Sequence, residues 1–147
     1  MVRFFEATLF NWAALATDAH AKNYALLYGE RSLSRPAFAP LYDLGSALAY
    51  PEISDRRAKL AMSYGGHYRA DEIQPRHIRR EAEAIGLDPD WAMIRARELV
   101  VGLPDAFSEA AKHTRLHGDD ATFAARLVDQ VSGRSSRLLA QLDSAGS

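Results

Sequence analysis

The apolar positions in the first sixteen residues recur at helical intervals. They are Phe5, Leu9, Trp12 and Leu15, which lie three or four residues apart. Such a stripe is typical of a helix that packs one face against a core. We therefore predict a helix over residues 2–16, followed by a polar stretch and then a second apolar run.

Two short apolar segments after the polar stretch indicate a β-hairpin. Residues 24–28 read YALLY and residues 37–42 read AFAPLY, and GERSLSRP between them supplies turn residues. The pattern becomes irregular after Asp43. Further along, KLAMSYGGHY around Gly65 and Gly66 fits either a short strand or a loop.

Helical spacing dominates from residue 74 onward. PRHIRREAEAIG begins with Pro75 and ends at Gly86, an arrangement that is common in helices. A further helix is expected to begin near Asp88 or Asp90, where a carboxylate suits the helix N-terminus, and to end near Gly102.

Two more helices complete the predicted order. One follows Pro104 and carries Phe107, and the last begins near Asp119 or Asp120. The apolar stripe of the last helix comprises Phe123, Leu127, Val131, Leu138 and Leu142. Residues 143–147, which read DSAGS, are expected to form a flexible tail.

The composition indicates how many domains the chain forms and which classes of partner it can attract. With 147 residues, 48% of them hydrophobic and 25% charged, the chain suits one globular domain, which we assign to residues 1–142. Lys and Arg number 18 against 19 for Asp and Glu, so the net charge of -1 gives no general attraction for nucleic acid or membrane. The lack of cysteine excludes disulfides and thiolate metal sites and favours a cytoplasmic protein.

The N-terminus has the outline of a secretory signal, with Arg3, an apolar stretch and Ala-x-Ala at residues 19–21. Glu6 and Asn11 interrupt that apolar stretch, and its helical spacing favours a core helix. No other segment approaches the roughly 18 apolar residues of a membrane span.

The polar stretch after the first helix carries candidate chemistry. Within six residues it holds an acid, an imidazole, an amine and an amide, namely Asp18, His20, Lys22 and Asn23. On a helix, Asp18 and Asn23 would point about 140° apart, whereas a loop can turn both toward one point. The pattern D-x-x-x-x-N is that of a phosphoryl-transfer loop, in which the acid accepts a hydroxyl proton and the amide oxygen holds magnesium. This pattern alone is a weak signal.

The position of Asp43 strengthens the signal. In kinase-like folds a hairpin follows the catalytic loop and delivers a second aspartate to the metal. Here the predicted hairpin ends in PLYDLG, so that Asp43 arrives at the expected place. The order of helix, acidic loop, hairpin and acid therefore says more than any single residue.

These segments resemble the C-terminal lobe of the HipA family, bacterial serine/threonine kinases that act as toxins of toxin–antitoxin systems. The resemblance lies in FNWAALATDAHAKNYALL, APLYDL, KLAM and PRHI, in that order. It implies a mainly α fold with a small β-hairpin between the catalytic loop and the metal-binding aspartate. It also implies Asp18 as the catalytic base, Asn23 and Asp43 as Mg2+ ligands, and His20 and Lys22 as supporting members of the loop.

The same resemblance implies ATP as co-substrate, a protein substrate and a helix-turn-helix antitoxin as partner. Aminoacyl-tRNA synthetases are the substrates known in the family. Only seventeen residues precede Asp18, too few for the family's glycine-rich loop, strand lysine, adenine-binding hinge and autophosphorylated serine. We therefore expect the chain to be inactive alone and to need an N-terminal kinase lobe.

Several plainer interpretations remain open. Asp18 to Asn23 can be a capping and turn cluster. A zinc or manganese site would instead gather Asp18, His20, His67 and His77, although no spacing fixes them together. A non-catalytic interaction module is the rival function, with Phe4, Phe5, Trp12 and Leu27 as candidates for an exposed docking surface.

Two basic clusters are also visible. They consist of Arg56, Arg57 and Lys59, and of Arg76, Arg79 and Arg80. In the second cluster, Arg79 can pair with Glu83 one helical turn on. A solvated, salt-bridged face explains both clusters, and an acidic protein or antitoxin-held DNA is the sharper alternative.

Overall fold

The computed structural model describes residues 1–28, 36–53, 56–114 and 116–144. Within these ranges the helices are α1 (Val2–Ala13), α2 (Pro75–Ala84), α3 (Pro89–His113) and α4 (Asp119–Asp143). The strands are β1 (Leu26–Leu27), β2 (Ala37–Phe38), β3 (Lys59–Tyr64) and β4 (His67–Arg69). Two 3₁₀ helices of one turn each lie at Ala21–Asn23 and Ala47–Ala49. The predicted mainly helical fold is thus confirmed.

Helix α1 ends at Ala13, earlier than predicted, because the chain turns sharply at Leu15. The backbone N–H of Ala16 donates to the carbonyl of Asn11 at 2.8 Å, and that of Leu15 donates to Trp12 at 3.3 Å. These two bonds form a Schellman motif, which requires a left-handed residue. Leu15 takes that conformation, with φ of 53°, and is fully buried.

The predicted hairpin is present, although its strands are short. Strands β1 and β2 pair antiparallel, with Leu26 opposite Phe38 and Leu27 opposite Ala37. Most of the predicted turn, residues 29–35, lies outside the described residues.

The segment around Gly65 and Gly66, which fitted either a strand or a loop by sequence, forms a second β-hairpin. Strands β3 and β4 pair antiparallel, and the chain turns at Gly65 and Gly66, whose φ angles are 56° and 88°. Glycine adopts these positive angles without the steric cost that a side chain would impose. The backbone N–H of Gly65 donates to Glu81 on α2 at 2.6 Å, which ties the turn to the helix.

Helix α2 begins at Pro75, and α3 begins after Asp88, whose carboxylate accepts the backbone N–H of Trp91 at 2.7 Å. Both beginnings agree with the predictions. The exposed cation Arg79 pairs with Asp90 at 2.6 Å, in place of the predicted Glu83.

The expectation of separate helices before and after Pro104 was wrong, because α3 runs through it to His113. An internal proline removes one helical hydrogen bond and costs about 3 kcal/mol. Burial on both sides of Pro104 offsets that cost. Val100 and Leu103 lie in the core, and Phe107 stacks on Phe10 at 6.3 Å.

Helix α4 begins at Asp119, as predicted, and closes the core. Of its predicted stripe, Val131, Leu138 and Leu142 are buried, whereas Phe123 is exposed and contacts Tyr50. The largest fully buried side chains are Trp12, Phe5, Leu9, Leu15, Ile73, Ile78, Val100 and Val131. The helix includes Asp143, the first residue of the predicted tail, and residues 145–147 lie outside the described ranges.

Among the described residues, no helix combines the length and the apolar character that a membrane crossing requires.

Candidate active-site loop

The stretch from Asp18 to Asn23 is not α-helical, which is the condition that the proposed chemistry requires. After the turn at Leu15, the backbone N–H of His20 donates to the carbonyl of Asp18 at 2.9 Å. The N–H of Asn23 then donates to the carbonyl of His20, also at 2.9 Å, and closes the 3₁₀ turn Ala21–Asn23. The loop therefore holds its own shape through backbone hydrogen bonds.

Asn23 joins the three residues on which the predicted site depends. Its Nδ2 donates to Asp43 Oδ2 at 3.2 Å and to the Asp43 carbonyl at 3.4 Å, and it lies 3.5 Å from the Asp18 carbonyl. Asn23 is 5% exposed, whereas Asp18 and Asp43 are open to solvent. The structure thus brings a buried amide between two exposed carboxylate-bearing residues.

Asp43 has a left-handed backbone, with φ of 57°. Such residues cluster at functional sites, and aspartate tolerates this conformation better than most side chains. The chain just after Asp43 is fixed to the end of α1. Ser46 Oγ donates to the Ala14 carbonyl at 2.6 Å, and the N–H of Ala47 donates to the Leu15 carbonyl at 3.0 Å.

The donor set at this site suits magnesium. Asn23 uses its Nδ2 in the contacts above, and its Oδ1 accepts no hydrogen bond from a described residue. Carboxylate and amide oxygens are the protein ligands that Mg2+ prefers. Asn23 Oδ1 and the Asp43 carboxylate are therefore the atoms that would serve as Mg2+ ligands.

The alternative zinc or manganese cluster is not assembled. Within the described part of the chain, no three His, Asp or Glu side chains lie close enough to hold a metal ion. Of the four residues considered, His67 and His77 stack with ring centroids 4.1 Å apart. That pair belongs to the contact between the second hairpin and α2.

Lys22 and His20 lie in the loop between Asp18 and Asn23. Lys22 is exposed, and its backbone carbonyl accepts the hydroxyl of Tyr42 at 2.9 Å, which links the loop to the residue before Asp43. His20 is half-buried, and its Nδ1 is buried without a hydrogen-bond partner among the described residues.

A hydrogen bond between Asn11 and Tyr24 supports the loop that carries Asp18 and Asn23. The sequence pattern did not indicate this role for either residue. Asn11 Nδ2 donates to the Tyr24 hydroxyl at 2.6 Å. Burial raises the pKa of Tyr24, and the hydrogen bond from Asn11 opposes that change. The ring of Tyr24 packs edge-on against Phe4 at 5.1 Å and tilts against Phe38 at 5.8 Å. The residue that follows Asn23 is thereby anchored between α1 and β2.

Arg134 also supports the loop by binding the end of α1, and the sequence pattern did not indicate this role. Its Nε donates to the Ala13 carbonyl at 2.9 Å and its Nη2 to the Trp12 carbonyl at 2.8 Å. The guanidinium is buried, and it satisfies carbonyls that the end of α1 leaves open. Because 121 residues separate Arg134 from Ala13, no local pattern could have revealed this contact.

Apolar side chains are exposed next to the loop. Leu26, Leu27 and Tyr28 of the first hairpin are exposed, and Leu27 retains 54% of its accessible surface. Leu44, directly after Asp43, is also exposed. The expectation that Phe5 and Trp12 form such a surface was wrong, because each is 1% exposed and belongs to the core. Phe4 is half-buried.

Comparison with known proteins identifies the family. Residues 1–107 match the HipA-like C-terminal domain. The chain belongs to this family. HipA from Shewanella oneidensis MR-1, solved with HipB and its operator DNA as a toxin–antitoxin system, superposes on 95% of the chain with a TM-score of 0.77 at 25% identity. The resemblance predicted from the sequence is thus confirmed.

The HipA-like chain also matches a Sinorhizobium fredii protein named "Putative kinase Y4mE", with 29% identity over 135 residues, or 92% of the chain. These residues span 31% of that protein, and the structural match spans 32% of the Shewanella HipA chain. The chain therefore covers about a third of the length of these relatives.

Proposed function

We propose that this chain is the C-terminal catalytic lobe of a HipA-like serine/threonine kinase in a toxin–antitoxin setting. The observation that carries the proposal is the hydrogen bonding of Asn23 to Asp43 and to the backbone of Asp18. A phosphoryl-transfer site needs its base and its metal ligands close together, because the attacking hydroxyl and the phosphate must meet. Membership of the HipA-like family supports the same function.

Each residue has a distinct role in the proposed reaction. The exposed carboxylate of Asp18 orients a serine or threonine hydroxyl of the protein substrate and accepts its proton. Asn23 Oδ1 and the Asp43 carboxylate would hold Mg2+. When bound, the ion neutralises charge on the phosphates of ATP. His20 and Lys22 support the loop.

A nucleotide-binding portion is needed to complete this site. Since the chain covers about a third of its relatives, we propose that the remaining part of such a protein supplies the contacts to ATP. The exposed Leu26, Leu27 and Tyr28 are suited to packing against that portion. The 147-residue chain alone is therefore expected to transfer no phosphate above background.

The test compares the chain alone with a fusion that places it behind the nucleotide-binding portion of the Shewanella HipA. Mg2+-dependent transfer from labelled ATP is measured for both proteins. The fusion should be active, and Asp18→Ala should reduce its rate by roughly 10²- to 10⁴-fold. Asp129→Ala, at an exposed position of α4, is the matched control and should leave the rate unchanged. A fusion that binds ATP but stays inactive would contradict the proposal.

An interaction module without catalysis is the second candidate. The exposed apolar hairpin favours it, as does the presence of HipB with the structurally similar HipA. The partner would be a helix-turn-helix antitoxin or a separate N-terminal lobe. Analytical ultracentrifugation tests the exposed surface, because a chain that stays monomeric at high concentration would count against this candidate.

A further inference from the structure

A groove of about 680 Å³ lies between α4 and the segment that follows Asp43. One wall is formed by residues 48–51, Ile53 and Arg56, and the other by residues of α4 between Arg126 and Gln141. Leu48 stands five residues after Asp43, so the groove begins within about 18 Å of the candidate magnesium ligand. The groove is nevertheless separate from the loop that carries Asp18 and Asn23.

The described lining of the groove is strongly basic. Its charged residues are Arg56, Arg126, Arg134 and Arg137, together with Asp71. Asp71 is paired with Arg69 at 3.0 Å, so its charge is balanced by a cation outside the lining. Arginines therefore outnumber acidic residues in the described lining, although the chain as a whole has a net charge of -1.

Two of these arginines are placed to contact a ligand. Arg56 and Arg126 are exposed, and within the described part of the chain neither forms an ion pair. The guanidinium of Arg126 lies over the ring of Phe123 at 5.7 Å, and Phe123 packs edge-on against Tyr50 at 6.0 Å. Stacking of this kind restrains a long side chain and reduces the entropy lost on binding.

Arg134 acts differently. Its guanidinium is bound to the carbonyls of α1, so it adds positive potential at the base of the groove.

Apolar side chains line the groove between the cations. The half-buried Leu48 and the exposed Ile53 contribute this surface, whereas Ala49 and Leu138 line the groove but are buried. A cavity of this size accommodates a few amino-acid side chains, and its mixture of arginine and aliphatic groups complements acidic and apolar groups together. Duplex DNA, by contrast, is bound mainly through its phosphates and favours an extended basic face.

We propose that this groove binds an acidic segment of a protein partner in which aliphatic residues alternate with Asp or Glu. The carboxylates pair with Arg56 and Arg126, and the aliphatic side chains pack on Leu48 and Ile53. The proposal does not depend on phosphoryl transfer, since binding requires neither ATP nor Mg2+.

Fluorescence anisotropy with labelled peptides tests the proposal on the 147-residue chain. The probe is a dodecapeptide of Glu, Leu and Ser, and the comparison peptide has Gln in place of every Glu. The Glu peptide should bind at low salt and weaken in 0.15 M salt, and the Gln peptide should bind at least tenfold more weakly. The double variant Arg56→Gln/Arg126→Gln should weaken binding of the Glu peptide about tenfold.

A matched double variant, Arg3→Gln/Arg80→Gln, removes the same charge from exposed positions outside the groove and should leave binding unchanged. Equal weakening by both double variants would overturn the proposal, because it would show general charge attraction. Failure of the Glu peptide to bind at low salt would also overturn it. A labelled DNA duplex is the third probe, and groove-dependent binding of DNA without binding of the peptide would assign the groove to nucleic acid instead.

Discussion

Asn23 and Asp43, which lie twenty residues apart in the sequence, are joined by a hydrogen bond of 3.2 Å from Asn23 Nδ2 to Asp43 Oδ2. This contact orients both proposed metal ligands, since the amide nitrogen faces Asp43 and leaves the amide oxygen available. Ligands that are held by such neighbouring contacts bind metal more tightly than ligands that must reorganise.

Replacing Asp43 with asparagine should weaken Mg2+ binding by at least about tenfold. Asparagine also tolerates the left-handed backbone at this position, so the variant removes charge with little change in the loop. Titration of Mg2+ monitored by the backbone amide shifts of residues 18–23 measures the effect. Asp129→Asn is the control, and equal affinity in wild type and Asp43→Asn would exclude Asp43 as a ligand.

Ser46→Ala should lower the free energy of unfolding by about 1–2 kcal/mol. Ser46 Oγ donates to the Ala14 carbonyl at 2.6 Å and accepts the N–H of Leu48 at 3.2 Å, so its loss loosens the segment after Asp43 from α1. Urea unfolding provides the measurement. Ser136→Ala, which removes an exposed hydroxyl bonded within α4, should change the free energy far less.

The parts of the site that the sequence predicted are those whose signals are local. Asp18 and Asn23 fall within one short loop, and Asp43 follows a hairpin that alternating apolar segments indicated. The order of these elements along the chain was sufficient to identify the family. Their roles as base and metal ligands stay predictions.

The parts that escaped prediction depend on tertiary contacts. Nothing in the side chain of Leu15 favours a left-handed turn, yet the core holds it there and ends α1 early. Pro104 normally marks a helix boundary, but burial on both sides keeps α3 continuous. Arg134 reaches α1 from the last helix, a contact that only the folded chain creates.

Gly65→Ala should destabilise the fold by more than Gly66→Ala, although both glycines have positive φ. A Cβ at Gly65 would lie 2.8 Å from Cβ of His77, whereas one at Gly66 would meet no atom within 4 Å. Because both positions have positive φ, each alanine carries a backbone cost of about 1–2 kcal/mol. Only Gly65→Ala adds a clash with α2. Thermal unfolding of the two variants makes the comparison, and equal losses would show that the hairpin is not packed tightly on α2.

Arg134→Met should lower the free energy of unfolding by about 2–4 kcal/mol. The variant fills a similar volume but leaves the Trp12 and Ala13 carbonyls without these donors, next to the candidate active-site loop. Arg97→Met is the control, since Arg97 forms an exposed pair with Asp143, and exposed pairs contribute less than about 1 kcal/mol. Urea unfolding of both variants measures the two free energies of unfolding. If Arg134→Met lowered this free energy no more than Arg97→Met, the buried hydrogen bonds of Arg134 would contribute little to stability.

His77 should make the fold less stable in acid. Burial lowers the pKa of His77 below its ordinary value of 6.5, and the neighbouring His67, Arg76 and Arg80 lower it further. A hydrogen bond with the backbone of Glu72 raises this pKa and so opposes part of the change. The backbone N–H of Gln74 also donates to His77 Nδ1 at 3.2 Å, a bond that only the unprotonated nitrogen can accept.

The sign of this effect follows from proton uptake. Below pH 6.5 the unfolded chain binds a proton at His77 that the folded chain resists, so the free energy of unfolding falls as the pH is lowered through this range. Urea unfolding at pH 7.5, 6.5 and 5.5 should show a smaller loss for His77→Gln than for wild type. His113→Gln, at an exposed end of α3, should retain the wild-type dependence. If His77→Gln remained as sensitive to acid as wild type, the loss of stability in acid would not arise from His77.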